Sequence, residues 1–384
     1  MRVVIVGAGV GGLALARGLS DQGHEVEVHE RASGLRRGGA GLGLHANGVA
    51  SLTALGVDVS GVGRRLDSLE NRDSAGRVRY TVDLGAVRER YGFESRAVPR
   101  RALMELLADG LPQGTVRFGR VCTRVRLNPD GTVSALFGDG TSATGDVVVG
   151  ADGVRSAVRR DLWDGDPARP TGWASWQGLT RVPVELAAGT RAAVVQGRQG
   201  LCGMMPAGEG LVQWWFDVRW RPDTPVPGAP AAVLRRLFEG WDDPDVSAVL
   251  EHARDEDLAL FEHVRYRMPR KVWGRGGATL LGDAAHAFSP STAQGANQAL
   301  EDALALSRAL AEQRAGTDPA AALRRYEHAR RGPVALASLA SGAELLKRFG
   351  PPRLLGAERL GALATSQYIG YLGRASNALT DRTS

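Results

Sequence analysis

Runs of β-branched and aliphatic residues with hardly a polar break mark the first strand, Arg2 to Val6, and recur at Val147–Val149 and Thr279–Leu281. Such runs predict strands buried on both faces, as in a parallel sheet. After the first run Leu13, Ala14, Ala16 and Leu19 recur at helical spacing, and Glu25 to His29 is a further strand. The rhythm changes in the middle of the chain. Thr171–Thr180, Ala192–Arg198, Leu201–Pro206 and Leu211–Arg219 are separated by Gly and Pro turns and predict antiparallel strands of a second sheet. The period of two places Gln213 and Trp215 on one face and Trp214 and Phe216 on the other. Arg221 to Pro230 is a Pro/Gly-rich loop, and residues 231–241 and 245–253 have helical pattern. From Pro319 onward the pattern is mostly helical, with breaks expected at Gly332-Pro333 and Gly350-Pro351-Pro352.

Between the first strand and its helix, Gly7, Gly9 and Gly12 fill a G-x-G-x-x-G spacing. The first glycine suits a tight turn, the second close approach to a pyrophosphate, and the third close helix–strand packing, with the phosphates over the helix N-terminus. Glu30 follows Gly12 by eighteen residues at the end of the next strand, where an acid can accept hydrogen bonds from a ribose. Strand, motif, helix, strand and acid in that order predict a Rossmann-like dinucleotide site, an α/β fold. An acid at the ribose suits NAD as well as FAD, so this motif does not choose between them.

Later segments point to FAD. The run Gly145–Arg159 gives a strand ending in Asp152-Gly153. Thr279–His286 ends in Gly282-Asp283, and Gln294-Gly-Ala-Asn297 opens a long helix through Leu310. In these places the sequence resembles the class A FAD-dependent aromatic monooxygenases, the family of para-hydroxybenzoate hydroxylase and salicylate hydroxylase. The resemblance runs from Arg2 to about Arg331, and Gly197–Pro206 with Trp214–Val218 is similar to its urate-hydroxylase-like branch.

That resemblance implies a discontinuous FAD-binding domain over 1–70, 98–160 and 270–330, a substrate-binding domain over 71–97 and 161–269 whose antiparallel sheet roofs the flavin, and a C-terminal helical segment over 331–384. It implies that Asp283 contacts the ribityl or pyrophosphate part of FAD and that Gly295, Ala296 and Asn297 present amides to the flavin ring. A positive helix end there stabilises negative charge on reduced flavin. Arg100, with Arg101 beside it as the alternative, stands where the family has a phosphate-binding arginine. Arg31 and Asp152 complete the cofactor candidates, and Gly38–Asn47 corresponds to the loop and strand beside the ring. One departure is visible: the family's Gly-Gln-Gly reads Ala293-Gln294-Gly295 here, so a positive φ at 293 would be strained.

By the same resemblance NADPH or NADH reduces the flavin, dioxygen adds to give a hydroperoxide, and its distal oxygen passes to an electron-rich carbon of a small aromatic molecule. His45 is the candidate to orient the substrate or take its proton, with a backbone-satisfied histidine as the alternative. Trp176, Met205, Trp215 and Pro290 are candidates to line the pocket, with sheet-core packing the alternative for the tryptophans and the methionine. Leu201 and Gln213 align with an arginine and a tyrosine of the urate-like branch, so the substrate is expected to be larger or less polar than urate. A hydroxylase of an aromatic or polyketide-like metabolite is the main expectation. Epoxidation, Baeyer–Villiger oxygenation and a non-catalytic flavin-binding redox sensor are the alternatives. His286 is expected to fix its loop instead of acting as a base.

Composition narrows the remainder. The chain has 384 residues, is 43% hydrophobic, and carries a formal charge of +6 that is almost all arginine, lysine appearing only at 271 and 347. The arginines are scattered instead of forming a stripe, which argues against nucleic acid. Cys122 and Cys202 are isolated, no secretory signal or membrane-length apolar run is evident, and the histidines lack metal-site spacing. Cytoplasmic location, no metal and a monomer or homodimer are the expectations.

Overall fold

The computed structural model describes residues 1–35, 40–163, 167–183, 185–266, 271–313, 318–347 and 357–380, with backbone only for 343–347. The three apolar runs lie side by side in one parallel sheet of five strands. Its order is Ala278–Leu280, Val147–Gly150, Arg2–Val6, Glu25–His29 and Val116–Arg117. Val3, Val4, Ile5 and Val147 to Val149 are almost wholly buried because both faces are covered, by helices and by a small antiparallel sheet over residues 122–145. The helices Val10–Asp21 and Gly295–Ala311 pack together on one side. Gly11, which the sequence reading passed over, lies in that contact: a Cβ there would meet Leu281 Cδ2 at 2.4 Å and Ala299 Cβ at 3.1 Å.

The second large sheet has seven strands, in the order Ala259–Arg265, Arg169–Arg181, Leu211–Arg219, Gly200–Gly208, Arg191–Gln196, Ser68–Asp73 and Val78–Asp83. The four expected strands are present. The sheet is antiparallel except where Arg191–Gln196 pairs parallel with Ser68–Asp73. Its outer face carries Trp176, Trp214 and Phe216 against helices Pro230–Leu237 and Pro244–His252. Its inner face carries Met205, Gln213 and Trp215 and looks toward a three-stranded sheet of Gly41–Leu44, Ser95–Pro99 and Arg64–Leu66. The small antiparallel sheet, Cys122–Leu127, Val133–Phe137 and Ser142–Gly145, packs against the two central parallel strands and adds Val125, Val133, Ala135 and Phe137 to the main core.

The helix Ala320–Lys347 runs unbroken through Gly332-Pro333, where a break was expected. A proline inside a helix costs about 3 kcal/mol, but residues on either side are anchored. Arg330 is fully buried in ion pairs, and Val334 and Ala337 are fully buried. The expected break at Gly350-Pro351-Pro352 lies outside the described residues. The last helix, Ala357–Ala375, packs along Val78–Asp83. Among the described residues no helix is long and apolar enough to cross a membrane.

Candidate functional site

The turns that follow the three central parallel strands emerge together at the carboxyl edge of the sheet, where the strand order reverses. This is where open α/β sheets bind ligands. Gly7 turns the chain with φ +110°, and a Cβ on it would meet the Ala151 oxygen at 2.4 Å. Gly12 sits over the same turn, where a Cβ would fall 2.1 Å from the Gly7 oxygen. Gly9 is different: a Cβ there would have Ala151 O as its nearest neighbour, at 4.0 Å. Two glycines are therefore required for packing, and the third leaves the helix N-terminus open to a phosphate.

Glu30 closes the turn from the other strand. Its carboxylate accepts from the Ala8 amide at 2.9 Å and the Ala32 amide at 3.0 Å, which fixes it beside the glycine loop. Arg31 is exposed next to it. Asp152 caps the helix Ala157–Trp163, accepting from the Ala157 amide at 2.7 Å. Burial raises its pKa, against the opposing hydrogen bonds from Ser156 and Ala157, and its Oδ1 is buried without a partner.

Asp283 begins the short helix Asp283–His286 with its side chain exposed at this edge. So much protein surrounds it that desolvation raises its pKa, while His286 and Arg100 act the other way. The two candidate arginines differ here: Arg100 is near enough to act electrostatically on Asp283, whereas Arg101 is exposed and pairs with Glu105 at 2.7 Å. His286 fixes the loop as expected, with Nε2 2.5 Å from Asp302 Oδ2, an oxygen that also accepts from the Gly282 amide at 2.9 Å.

Opposite Asp283 the helix Gly295–Ala311 begins, a Cβ on Gly295 being 4.0 Å from Asp283 Oδ1. The helical ladder opens with the Gln298 amide donating to Gln294 O at 2.8 Å, so the amides of Gly295, Ala296 and Asn297 precede it. The Asn297 side chain has another task, missed in the sequence. It donates to Gly43 O at 3.0 Å and Ala293 O at 2.8 Å and accepts from the His45 amide at 2.9 Å, tying the Gly41–Leu44 strand to the helix start. Ala293 does adopt the positive φ suspected of it, +52°. Pro290 opens the turn Pro290–Thr292 just before it.

The inner face of the seven-stranded sheet covers this region. Met205 Cε lies 3.5 Å from where a Gly43 Cβ would be, and Gln213 Oε1 lies 2.6 Å from that of Gly41. Gln213 Oε1 is buried without a partner. Leu201 is on the same face, paired across from Asp217. Trp176 is not: it pairs with Phe216 and is buried in the outer cluster, because strand alternation puts it on the face opposite Trp215. Instead Tyr368 and Tyr371 of the last helix join Met205 and Trp215 in one apolar cluster. Their spacing on a C-terminal helix offered no signal of that placement.

His45 caps the helix Ala46–Ala54, and its Nδ1 is 2.6 Å from the Tyr368 hydroxyl. Nε2 is buried with no hydrogen-bond partner. Desolvation lowers the imidazole pKa to about 4, with the Thr292 carbonyl acting weakly against it. A ring so enclosed is a poor proton acceptor.

The arrangement fits FAD: an open helix end at Gly9 for phosphates, Arg100 for their charge, a polar side chain at Asp283, and a helix start with free amides opposite. Residues 1–340 match the family model described as FAD binding domain. The chain is 36% identical over 344 residues to the 3-amino-4-hydroxybenzoate 2-monooxygenase PtnB3 of Streptomyces platensis, covering 86% of this chain and 84% of that protein. It is 32% identical over 337 residues to the aurachin C monooxygenase/isomerase of Stigmatella aurantiaca, covering 86% and 85%. The crystal structure of Klebsiella pneumoniae HpxO with FAD and uric acid superposes with a TM-score of 0.84 at 29% identity, covering 96% of this chain and 92% of that one. The chain thus belongs to the FAD binding domain family and is an FAD-dependent monooxygenase of the class A type.

Proposed function

We propose that this monooxygenase hydroxylates an uncharged or weakly acidic aromatic or polyketide-like small molecule, with NADPH or NADH as electron donor. The observation that carries the substrate class is the roof. Met205 and Trp215 share one apolar cluster with Tyr368 and Tyr371, and the buried Gln213 amide is a polar group on the same sheet face. Flat apolar walls with few placed polar groups suit an aromatic ring. Leu201 and Gln213 offer an alkyl group and an amide, which would leave an anion such as urate without a cationic partner. The names of the matched relatives agree with an aromatic substrate: one names aurachin C, and the other an aminohydroxybenzoate, whose carboxylate sets it apart from the uncharged class proposed here.

Bound FAD supplies the electron transfer and oxygen activation. The protein's part is to hold and shield it. Arg100 and the helix end at Gly9 would take the pyrophosphate, Glu30 the ribose, and Asp283 the ribityl chain. The Gly295–Asn297 amides would face the pyrimidine edge, where their partial positive charge favours the anionic reduced ring. The roof would exclude water and set the carbon to be oxidised against the ring. His45 is better read as a strut between Tyr368 and the Thr292 turn than as a base, given its buried Nε2. We further infer a reducing, cytoplasmic setting, since Cys122 and Cys202 are buried free thiols.

Nicotinamide oxidation and oxygen uptake across phenols, indoles and polycyclic aromatics, with mass analysis of products, test this reading. One compound should stimulate oxidation and gain one oxygen atom. Stimulation only by carboxylate-rich or urate-like anions would overturn the substrate class, and a flavin-loaded protein stimulated by none would favour a redox sensor.

A further inference from the structure

Ala293 is the one apolar residue among three non-glycine positions with positive φ in the described residues; the others, Glu209 and Asp223, are exposed polar turn residues. An L-residue without a polar side chain is disfavoured in that region by roughly ten-fold. Something must hold it there, and the residue before it is held from several directions. Thr292 Oγ1 is 2.7 Å from Ser341 Oγ, a fully buried hydroxyl on the long helix Ala320–Lys347. The Tyr371 hydroxyl of the last helix, near enough to the Thr292 side chain to be influenced by it, is buried without a hydrogen-bond partner. The Thr292 carbonyl faces the His45 ring, whose Nδ1 is bound by Tyr368, also of the last helix. After Ala293 come Gln294 and the helix start at Gly295.

We propose that Thr292 is a positioning residue through which the two C-terminal helices clamp the strained Ala293 turn, and so set where the Gly295–Asn297 amides stand against the flavin. This rests on the FAD site described above and adds a dependence of flavin electronics on helices far along the chain. Tyr368 acts in the same clamp. Its hydroxyl has His45 Nδ1 as its hydrogen-bond partner, and donating to that nitrogen is the arrangement that leaves no buried O–H unsatisfied. His45 then carries its proton on Nε2, the ring atom that is buried without a hydrogen-bond partner. When the clamp is released, Ala293 gains by leaving the left-handed region, and the amides move away from the ring edge. The anionic reduced flavin then loses stabilisation.

The test measures the midpoint potential of the purified holoenzyme and of three variants, each checked for flavin content and melting temperature. Thr292→Val keeps the side-chain shape and removes the hydroxyl. It is expected to lower the potential by about 20 mV, a five-fold shift in the reduction equilibrium. Ala293→Gly adopts the same turn without strain, so alone it should raise the melting temperature and leave the potential unchanged. Added to Thr292→Val it should restore most of the lost potential, which a merely structural role for Thr292 would not predict. A flavin-loaded Thr292→Val protein with the parent's potential, a double variant no better than the single, or an Ala293→Gly protein that melts lower would each overturn the clamp. Absence of flavin from the parent would instead remove the FAD site on which the clamp depends.

Discussion

Asp283 and His45 sit within the same cleft region and illustrate how environment assigns a role to a side chain. Asp283 is exposed at the sheet edge with Arg100 acting on it, the setting of a ligand contact. Asp283→Ala should therefore purify largely without FAD, read as flavin absorbance per mole of protein, and a normal content would remove Asp283 from the cofactor site. His45 is enclosed, and its effect should appear in stability instead. In the unfolded chain an imidazole takes a proton near pH 6.5, whereas the folded protein keeps His45 neutral to about pH 4. Between those values the unfolded state binds more protons, so stability falls as pH falls, by up to about 3 kcal/mol. His45→Gln should lose less stability between pH 7 and 4.5 than the parent in denaturant titrations, and parallel losses would contradict the lowered pKa. The residue type and position of His45 were legible in the sequence, but its burial was not, because Tyr368 lies 323 residues away. Arg100 was already preferred to Arg101 by resemblance, and the structure adds that Arg100 acts electrostatically on Asp283 while Arg101 pairs with Glu105.

At the scale of elements, the apolar runs named the parallel strands because a strand buried on both faces leaves a continuous apolar record. The long C-terminal helix was less legible. Pro333 carries a strong local signal for a break, but the tertiary contacts of Arg330 outweigh it. Arg330 is wholly buried, 2.7 Å from Asp302 Oδ1 and 2.9 Å from Glu301 Oε2. Burial alone would raise the Asp302 pKa, and His286 with Arg330 more than offsets this, leaving it lowered. Asp302 in turn holds Gly282 and His286, so this helix supports the loop that carries Asp283. Arg330→Met should cost about 3–5 kcal/mol in denaturant unfolding, because two carboxylates would remain buried with too little positive charge. A cost below about 1 kcal/mol would show that the cluster is solvated or repacks.

For the whole molecule, the decisive relation is between the two large sheets: one supplies the turns proposed to hold the cofactor, and the inner face of the other lies over the Gly41–Leu44 strand that Asn297 ties to the helix start. That relation separates two tryptophans of similar sequence setting. Trp176→Phe should lower stability by about 1–2 kcal/mol and leave KM for a stimulating aromatic unchanged, because its ring is buried in the outer cluster. Trp215→Phe should raise that KM several-fold with a smaller effect on stability. Steady-state kinetics and thermal melts on both variants check this, and the reverse pattern would mean that the inner face does not meet the substrate.

The sequence by itself determined the glycine turn, the acid at Glu30 and the parallel strands, since each is a local pattern whose physics is complete within some thirty residues, while the role of the helix start at Gly295 came from resemblance. Even the strain at Ala293 was foreseeable from the residue type. Only the tertiary structure decided which face of the second sheet meets the cleft, that His45 is enclosed, and that two tyrosines near the chain's end join the roof. Those facts depend on contacts between segments hundreds of residues apart, and nothing in the local spacing of a side chain records which distant surface will bury it.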